Sequence, residues 1–107
     1  MIEIRQTRHY ADWFGALRDQ EARKRIAVRV LRLQHGNPGD HRLLTGGVVE
    51  LKIDVGPGYR VYFTRRRAAL VLLLAGGDKR TQQRDIELAI RLAKESSDGN
   101  DQVGRSG

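Results

Sequence analysis

The feature that most restricts the fold is an uninterrupted apolar run from Ala68 to Ala75. A strand that borders water on one side alternates polar and apolar side chains, whereas this run has no polar face. It is also much shorter than the roughly 20 residues that a membrane-spanning helix needs. We therefore predict a central β-strand that is covered on both sides, in a domain built of packed layers around a sheet.

Periodicity predicts the elements on either side of this run. Apolar residues at every second position indicate strands over residues 1–5, 47–55 and 59–64, and Gly56-Pro57-Gly58 predicts a hairpin turn between the last two. Apolar residues three and four apart indicate three helices: one capped by Thr7, a second ending before Gly36, and a third over residues 81–95. The order β-α-α-β-β-β-α predicts an α+β fold, with a helical hairpin and a C-terminal helix packed chiefly on one side of a mainly antiparallel sheet.

Length and composition limit how the chain is organised. A chain of 107 residues forms one core, so we expect a single domain over residues 1–95 and a flexible Ser/Gly/Asp-rich tail over residues 96–107. Cysteine is absent, which excludes disulfides, thiolate nucleophiles and Cys-based zinc sites, and three scattered histidines predict no metal site. The N-terminus lacks an apolar leader, so we expect a cytoplasmic protein without a membrane partner.

The net charge of +7 depends almost wholly on arginine, which supplies 16 of the 20 cations. The guanidinium group binds phosphate through two parallel hydrogen bonds, which favours nucleic acid as a partner. An arginine-rich solvated surface would give the same composition. Total charge alone does not separate these two interpretations.

The predicted hairpin brings a polar set onto one face of the sheet. Glu50, Lys52, Asp54, Arg60 and Tyr62 fall at alternating positions of its two strands. Two cations beside a phenol can bind a phosphodiester and stack on a base. The alternative interpretation is a solvated face that carries weak ion pairs.

Two further basic segments are candidates for phosphate binding. Lys79 and Arg80 follow two glycines and precede the last helix, although the spacing of these glycines does not match a P-loop or dinucleotide motif. Arg25, Arg29 and Arg32 share one side of the second helix. That side is either solvated or a contact surface for an acidic partner or for RNA phosphates.

Three sequence blocks occur in a specific order: GGVVELK at residues 46–52, GPGYRVYF at 56–63 and LLLAGGDK at 72–79, followed by Asp85-Ile86. They resemble the RelE/ParE toxin superfamily, and within it the HigB-like, phage-derived (Gp49-like) addiction module killer proteins. The resemblance covers residues 1 to about 95 and implies a RelE-like fold.

This resemblance implies the toxin of a type II toxin-antitoxin system that arrests growth as an endoribonuclease, or mRNA interferase. In such enzymes the ribose 2′-OH attacks the adjacent phosphate, and neither a metal nor a cofactor is needed. The implied partners are a helix-turn-helix (HigA/Xre-like) antitoxin and mRNA, often on the ribosome. The alternatives are a ParE-like inhibitor of DNA gyrase and a non-catalytic relative that binds only RNA or the antitoxin.

The resemblance also assigns roles by motif position. Arg60 corresponds to the arginine at the scissile phosphate, and Lys52 and Lys79 correspond to further basic positions. Glu50 would either orient the reacting groups or act as the base. Some relatives carry a tyrosine or histidine near the last helix, where this chain offers only Asp85. The expected RNA contacts are Tyr62 as a stacking platform and the arginines Arg80, Arg25, Arg29 and Arg32.

Overall fold

A six-stranded sheet and three α-helices make up the part of the chain that this computed structural model describes, residues 1–97 and 103–105. The elements in chain order are β1 Glu3–Thr7, α1 Arg8–Ala16, α2 Gln20–Gln34, β2 His41–Leu43, β3 Val48–Ile53, β4 Tyr59–Arg67, β5 Leu70–Asp78, α3 Gln82–Ser97 and β6 Val103–Arg105. Short 3₁₀ turns occupy Thr45–Gly47 and Lys79–Thr81. Every predicted element is present, while β2 and β6 were not predicted.

The strands lie in the order β2-β3-β4-β5-β1-β6. All neighbouring pairs are antiparallel except β1 and β5, which run parallel with Ile4 opposite Val71. The predicted α+β fold with a mainly antiparallel sheet is therefore confirmed.

Helices cover both faces of the sheet, and alternate residues of β5 explain why. Val71 and Leu73 belong to a core under the α1–α2 hairpin, whereas Leu72 and Leu74 belong to a second core under α3. A strand with an apolar layer on each side needs no polar face, as predicted for this run. The expectation that the helices pack chiefly on one side needs correction, because α3 covers the face opposite the hairpin.

Side-chain caps fix where the hairpin helices begin. Thr7 accepts a hydrogen bond from the amide of Tyr10 at 3.1 Å, and its hydroxyl donates to the carbonyl of Leu74 at 2.5 Å. Asp19 accepts from the amide of Ala22 at 3.1 Å. The Thr7 contact therefore starts α1 and also ties it to β5.

The predicted flexible tail, residues 96–107, falls largely outside the described residues. Where it is described, residues 96–97 continue α3 and Val103–Arg105 pairs with β1 as an edge strand. None of the helices in residues 1–97 is long and apolar enough to cross a membrane.

Candidate functional site

A cleft of about 420 Å³ opens on the α3 face of the sheet, beside β2 and β3. We call it the basic cleft, because its three cations outnumber its two carboxylates. Its lining residues are Asp40, His41, Arg42, Glu50, Lys52, Arg60 and Gln82. The cleft thus brings together three of the predicted catalytic residues, Glu50, Lys52 and Arg60.

The hairpin of β3 and β4 sets the relative positions of these residues. In its register, Lys52 lies opposite Arg60 and Glu50 lies opposite Tyr62, while Arg60 also lies opposite Gly77 of β5. The predicted pairing is confirmed. Lys52 is exposed, whereas Arg60 is only 6% exposed. An exposed and a buried cation are therefore neighbours across the strands.

Glu50 is a buried carboxylate that binds donors from three elements. Its Oε2 accepts hydrogen bonds from the hydroxyl of Tyr62 at 3.1 Å and from Nε2 of Gln82 at 2.8 Å. Its Oε1 accepts from Nε of Arg42 at 3.2 Å, and Nε of Arg60 lies 3.8 Å from Oε2. The carboxylate is thus part of a buried hydrogen-bond network that links β2, β3, β4 and α3.

Tyr62 is fully buried beneath α3, which corrects its predicted role as a stacking platform. Burial, and next the carboxylate of Glu50, raise the pKa of its phenol far above the ordinary value. The phenol therefore stays protonated and donates its hydrogen bond to Glu50. The alternative of a solvated sheet face is also wrong, because α3 covers much of it. Asp54 follows the end of β3 and lies outside the basic cleft.

The guanidinium group of Arg60 is fixed from two sides. Its Nη1 donates to the carbonyls of Gly58 at 3.1 Å and Tyr59 at 3.3 Å, and its Nε faces Glu50. Within the described residues, that buried Nε has no hydrogen-bond partner. Arg60 is thus a preoriented cation in the wall of a cleft.

The two glycines that end β5 provide space for side chains on opposite faces. A Cβ at Gly77 would overlap the carboxylate of Asp85, whereas a Cβ at Gly76 would overlap the ring of Trp13. Asp85 is buried and accepts a hydrogen bond from Thr81 Oγ1 at 2.5 Å. These glycines therefore serve packing, and Asp85 lies against the sheet beside the strand position of Arg60.

Lys79 and Arg80 lie in the 3₁₀ turn that precedes α3, and they differ in their surroundings. Arg80 forms an ion pair of 3.0 Å with Asp78, whose pKa is lowered chiefly by that side-chain hydrogen bond. Lys79 is exposed, and both its Cβ and Nη1 of Arg60 lie within 4 Å of where a Cβ on Gly58 would stand. Gly58 has a φ of +83°, which suits glycine. The start of the Lys79 side chain therefore lies near the guanidinium group of Arg60 on this side.

Arg29 is half-buried and its guanidinium group is bonded to backbone carbonyls, which argues against its predicted role in binding RNA. Its two Nη atoms donate to the carbonyls of Lys52 at 2.5 Å, Asp40 at 2.7 Å and Pro38 at 2.8 Å. Burial lowers the pKa of this guanidinium. Arg29 is a structural link between α2 and the sheet. Arg25 and Arg32 remain exposed, and Arg25 pairs with Glu21 at 3.1 Å.

Sequence reasoning missed His41 and Arg42 as residues of the cleft. They belong to β2, which has three residues and is too short to show a two-residue period. Nδ1 of His41 lies 2.7 Å from the carbonyl oxygen of Gly39. In the described part of the chain, no three His, Asp or Glu side chains cluster as metal ligands do.

Comparisons with known proteins place this geometry in a family context. The family model described as "Phage derived protein Gp49-like (DUF891)" matches residues 12–96, which include every residue of the basic cleft. A Haemophilus influenzae protein with the name "Uncharacterized protein" is 45% identical over 94 residues, and the match covers 88% of this chain and 95% of that relative. No solved structure gives a significant match.

Proposed function

This chain belongs to the Gp49-like family of phage-derived proteins, a branch of the RelE/HigB-like toxins, and from that premise we propose an activity for it. The protein is the toxin of a type II toxin-antitoxin pair, and it cleaves mRNA, on the ribosome, by attack of a ribose 2′-OH on the adjacent phosphate. Its partner is a helix-turn-helix antitoxin from a neighbouring reading frame. The observation that carries this proposal is the buried, oriented Arg60 beside exposed Lys52 in an open cleft.

Burial of Arg60 is informative because an arginine with only a structural or solubilising role does not need an open cleft. Its side chain is held by Glu50 and by two carbonyls, so no reorganisation is required when a phosphate arrives. Preoriented cations are most effective where charge develops in the transition state. A cleaved phosphodiester passes through a phosphorane that carries additional negative charge. Arg60 therefore stabilises the phosphorane.

The chemistry needs charge stabilisation, a proton acceptor and a proton donor. As the 2′-oxygen bonds to phosphorus, the bond from phosphorus to the 5′-oxygen breaks, which leaves a 2′,3′-cyclic phosphate and a 5′-hydroxyl. Arg60 and Lys52 contact the non-bridging oxygens from neighbouring strands, and Lys79 adds a third cation beyond Gly58. An ammonium such as that of Lys52 can also protonate the leaving 5′-oxygen.

His41 is our candidate for the proton acceptor. A carbonyl oxygen only accepts hydrogen bonds, so Nδ1 of His41 carries a proton to bond Gly39, and the neutral ring then has its lone pair on Nε2. Histidine is the side chain best suited to proton transfer near neutral pH. The carboxylate of Glu50 is occupied by donors, and Asp85 is bonded to Thr81, so neither replaces it.

Substitution of Arg60 tests the proposal. We expect Arg60→Ala to lower the rate of mRNA cleavage by about 100-fold to 1,000-fold, the usual effect of removing one preorganised charge-stabilising group. Arg67→Ala is the matched control, because Arg67 is an exposed arginine at the far end of the same strand and should leave cleavage unchanged. Cleavage of a reporter mRNA by purified protein with ribosomes, with circular dichroism for folding, measures both.

Two outcomes would contradict the assignment. Undiminished cleavage by folded Arg60→Ala protein would exclude the basic cleft as the catalytic site. Inhibition of gyrase supercoiling by the unmodified protein, without RNA cleavage, would instead support the ParE-like alternative.

A further inference from the structure

The outer face of α2 exposes aliphatic side chains among cations. Val28 is 45% exposed and Leu31 is 53% exposed, although large aliphatic side chains elsewhere in the described chain are mostly buried. They lie three residues apart and therefore on the same side of the helix. Neighbouring aliphatic groups left in water at one surface commonly mark a site of contact with another molecule.

Next to this face runs a groove of about 560 Å³ between α2 and the end of β3, which we call the α2 groove. Val28 lines it, and its five cations outnumber its three carboxylates. Arg29 connects α2 to three backbone carbonyls at this point, so both walls of the groove are linked. The groove is therefore preformed and positively charged, with an apolar edge.

We infer that the α2 groove docks an acidic amphipathic helix of a partner protein, with Val28 and Leu31 as its apolar contacts. Helix-in-groove recognition combines apolar anchors one turn apart with flanking charges. RNA fits less well, because the described residues that line the groove include no aromatic side chain for stacking. A flat anionic surface also fits less well, because the carboxylates Glu21, Asp40 and Asp54 would repel it.

The α2 groove and the basic cleft share two residues, Asp40 and Lys52. A helix seated in the groove therefore approaches Lys52 from the side opposite the RNA. This arrangement rests on the proposed function, which supplies an antitoxin as the partner. Docking in the groove restricts Lys52 and thereby inhibits cleavage without filling the whole cleft.

The test uses full-length protein and, as the probe, the purified product of the neighbouring reading frame. We expect the double variant Val28→Glu/Leu31→Glu to lower the affinity measured by calorimetry about 100-fold, because two charges enter an apolar contact. The matched control is Leu43→Glu, which changes an aliphatic side chain that is 73% exposed and lies outside the groove. The control should bind as the unmodified protein does.

RNA cleavage by the same proteins separates this inference from the proposed function. Unchanged cleavage together with weakened binding supports the groove as a protein-docking site. Equal affinity of the double variant and Leu43→Glu overturns the inference, as does failure of the unmodified protein to bind the probe. Loss of binding to an RNA oligonucleotide or to anionic vesicles, with the probe still bound, assigns the surface to those ligands instead. If the double variant binds the probe more weakly but the unmodified protein does not cleave RNA, the proposed function is overturned and the docking site is not.

Discussion

Arg29, which is half-buried, and Arg60, which is buried, are both arginines bonded to the backbone, and they differ in what holds them. Each has a buried Nε without a hydrogen-bond partner in the described residues. Arg29, on α2, donates hydrogen bonds from its two Nη atoms to three carbonyls at 2.5 to 2.8 Å. Arg60, under the α3 face, has only longer carbonyl contacts of 3.1 and 3.3 Å, and it faces a carboxylate inside an open cleft.

This difference separates a structural cation from one that is ready for a ligand. Three short bonds join Arg29 to the backbone of β3 and of the loop before β2, so its charge serves the fold. Arg60 bonds only two carbonyls, through Nη1, and its Nε faces at 3.8 Å a carboxylate that also holds Tyr62 and Gln82. Its charge therefore remains available to a phosphate, and the partners of an arginine indicate its role better than its burial does.

Substitution of Arg29 should give the largest change in stability and tests the difference between the two arginines directly. We expect Arg29→Ala to lower the free energy of unfolding by about 3 kcal/mol, because three carbonyls lose a charged donor. Cleavage per folded molecule should stay near the unmodified rate, in contrast to Arg60→Ala. Urea denaturation and the cleavage assay measure the two quantities. A stable Arg29→Ala protein with greatly reduced cleavage would show that both arginines serve the reaction.

The two arginines also show how far the sequence predicts this site. Alternating residues around Gly56-Pro57-Gly58 predicted the hairpin correctly, and its register places Lys52 opposite Arg60. Helical periodicity likewise placed Arg29 on an outward side of α2. It could not show that the chain returns at residues 38–40 to accept its hydrogen bonds, because that contact depends on the path of a loop.

Burial and short strands escaped prediction for similar reasons. A two-residue period shows which side chains share a sheet face, but not which helix covers that face, so Tyr62 was expected at the surface. The three residues of β2 are too few to show a period, so Arg42 was missed as a partner of Glu50. Both features depend on tertiary contacts between elements that are far apart in the sequence.

Adjacent glycines give a second test of the two faces, with a smaller expected effect. Gly76→Ala places a methyl group into Trp13, and Gly77→Ala places one into Asp85. Overpacking of this kind commonly costs about 1–3 kcal/mol, so both variants should unfold at lower urea concentration. Only Gly77→Ala should also lower cleavage per folded molecule, because it displaces the start of α3 next to Gln82. Equal cleavage by both variants would show that the packing of α3 against β5 does not affect the activity of the basic cleft.

The smallest effects distinguish Tyr10, in the core under the hairpin, from Tyr62, in the core under α3. Burial alone raises the pKa of Tyr10, whereas burial and Glu50 together raise that of Tyr62. Tyr62→Phe removes the hydrogen bond to Glu50 and should lower the free energy of unfolding by about 1–2 kcal/mol at neutral pH. Tyr10→Phe should lower it less, because no carboxylate among the described residues accepts a hydrogen bond from its hydroxyl. If Tyr62 instead stacked on RNA, phenylalanine would keep that contact and leave both stability and cleavage unchanged.

Alkaline pH extends this comparison, and its sign follows from the raised pKa values. Above the ordinary tyrosine pKa of about 10, the unfolded chain loses phenolic protons that the folded chain retains. The contribution of each such tyrosine to the free energy of unfolding is therefore complete well below pH 10. It is lost as the pH rises, at a rate that approaches about 1.4 kcal/mol per pH unit above the ordinary pKa. Tyr62→Phe and Tyr10→Phe should each make this decline smaller by about 1 kcal/mol in urea titrations between pH 10 and 11, because the unfolded phenol is only half ionised at pH 10. If Tyr62→Phe left the pH dependence of the free energy of unfolding unchanged, the phenol of Tyr62 in the unmodified protein would be open to solvent. The network around Glu50 would then not be closed, and it could not hold Arg60 in place.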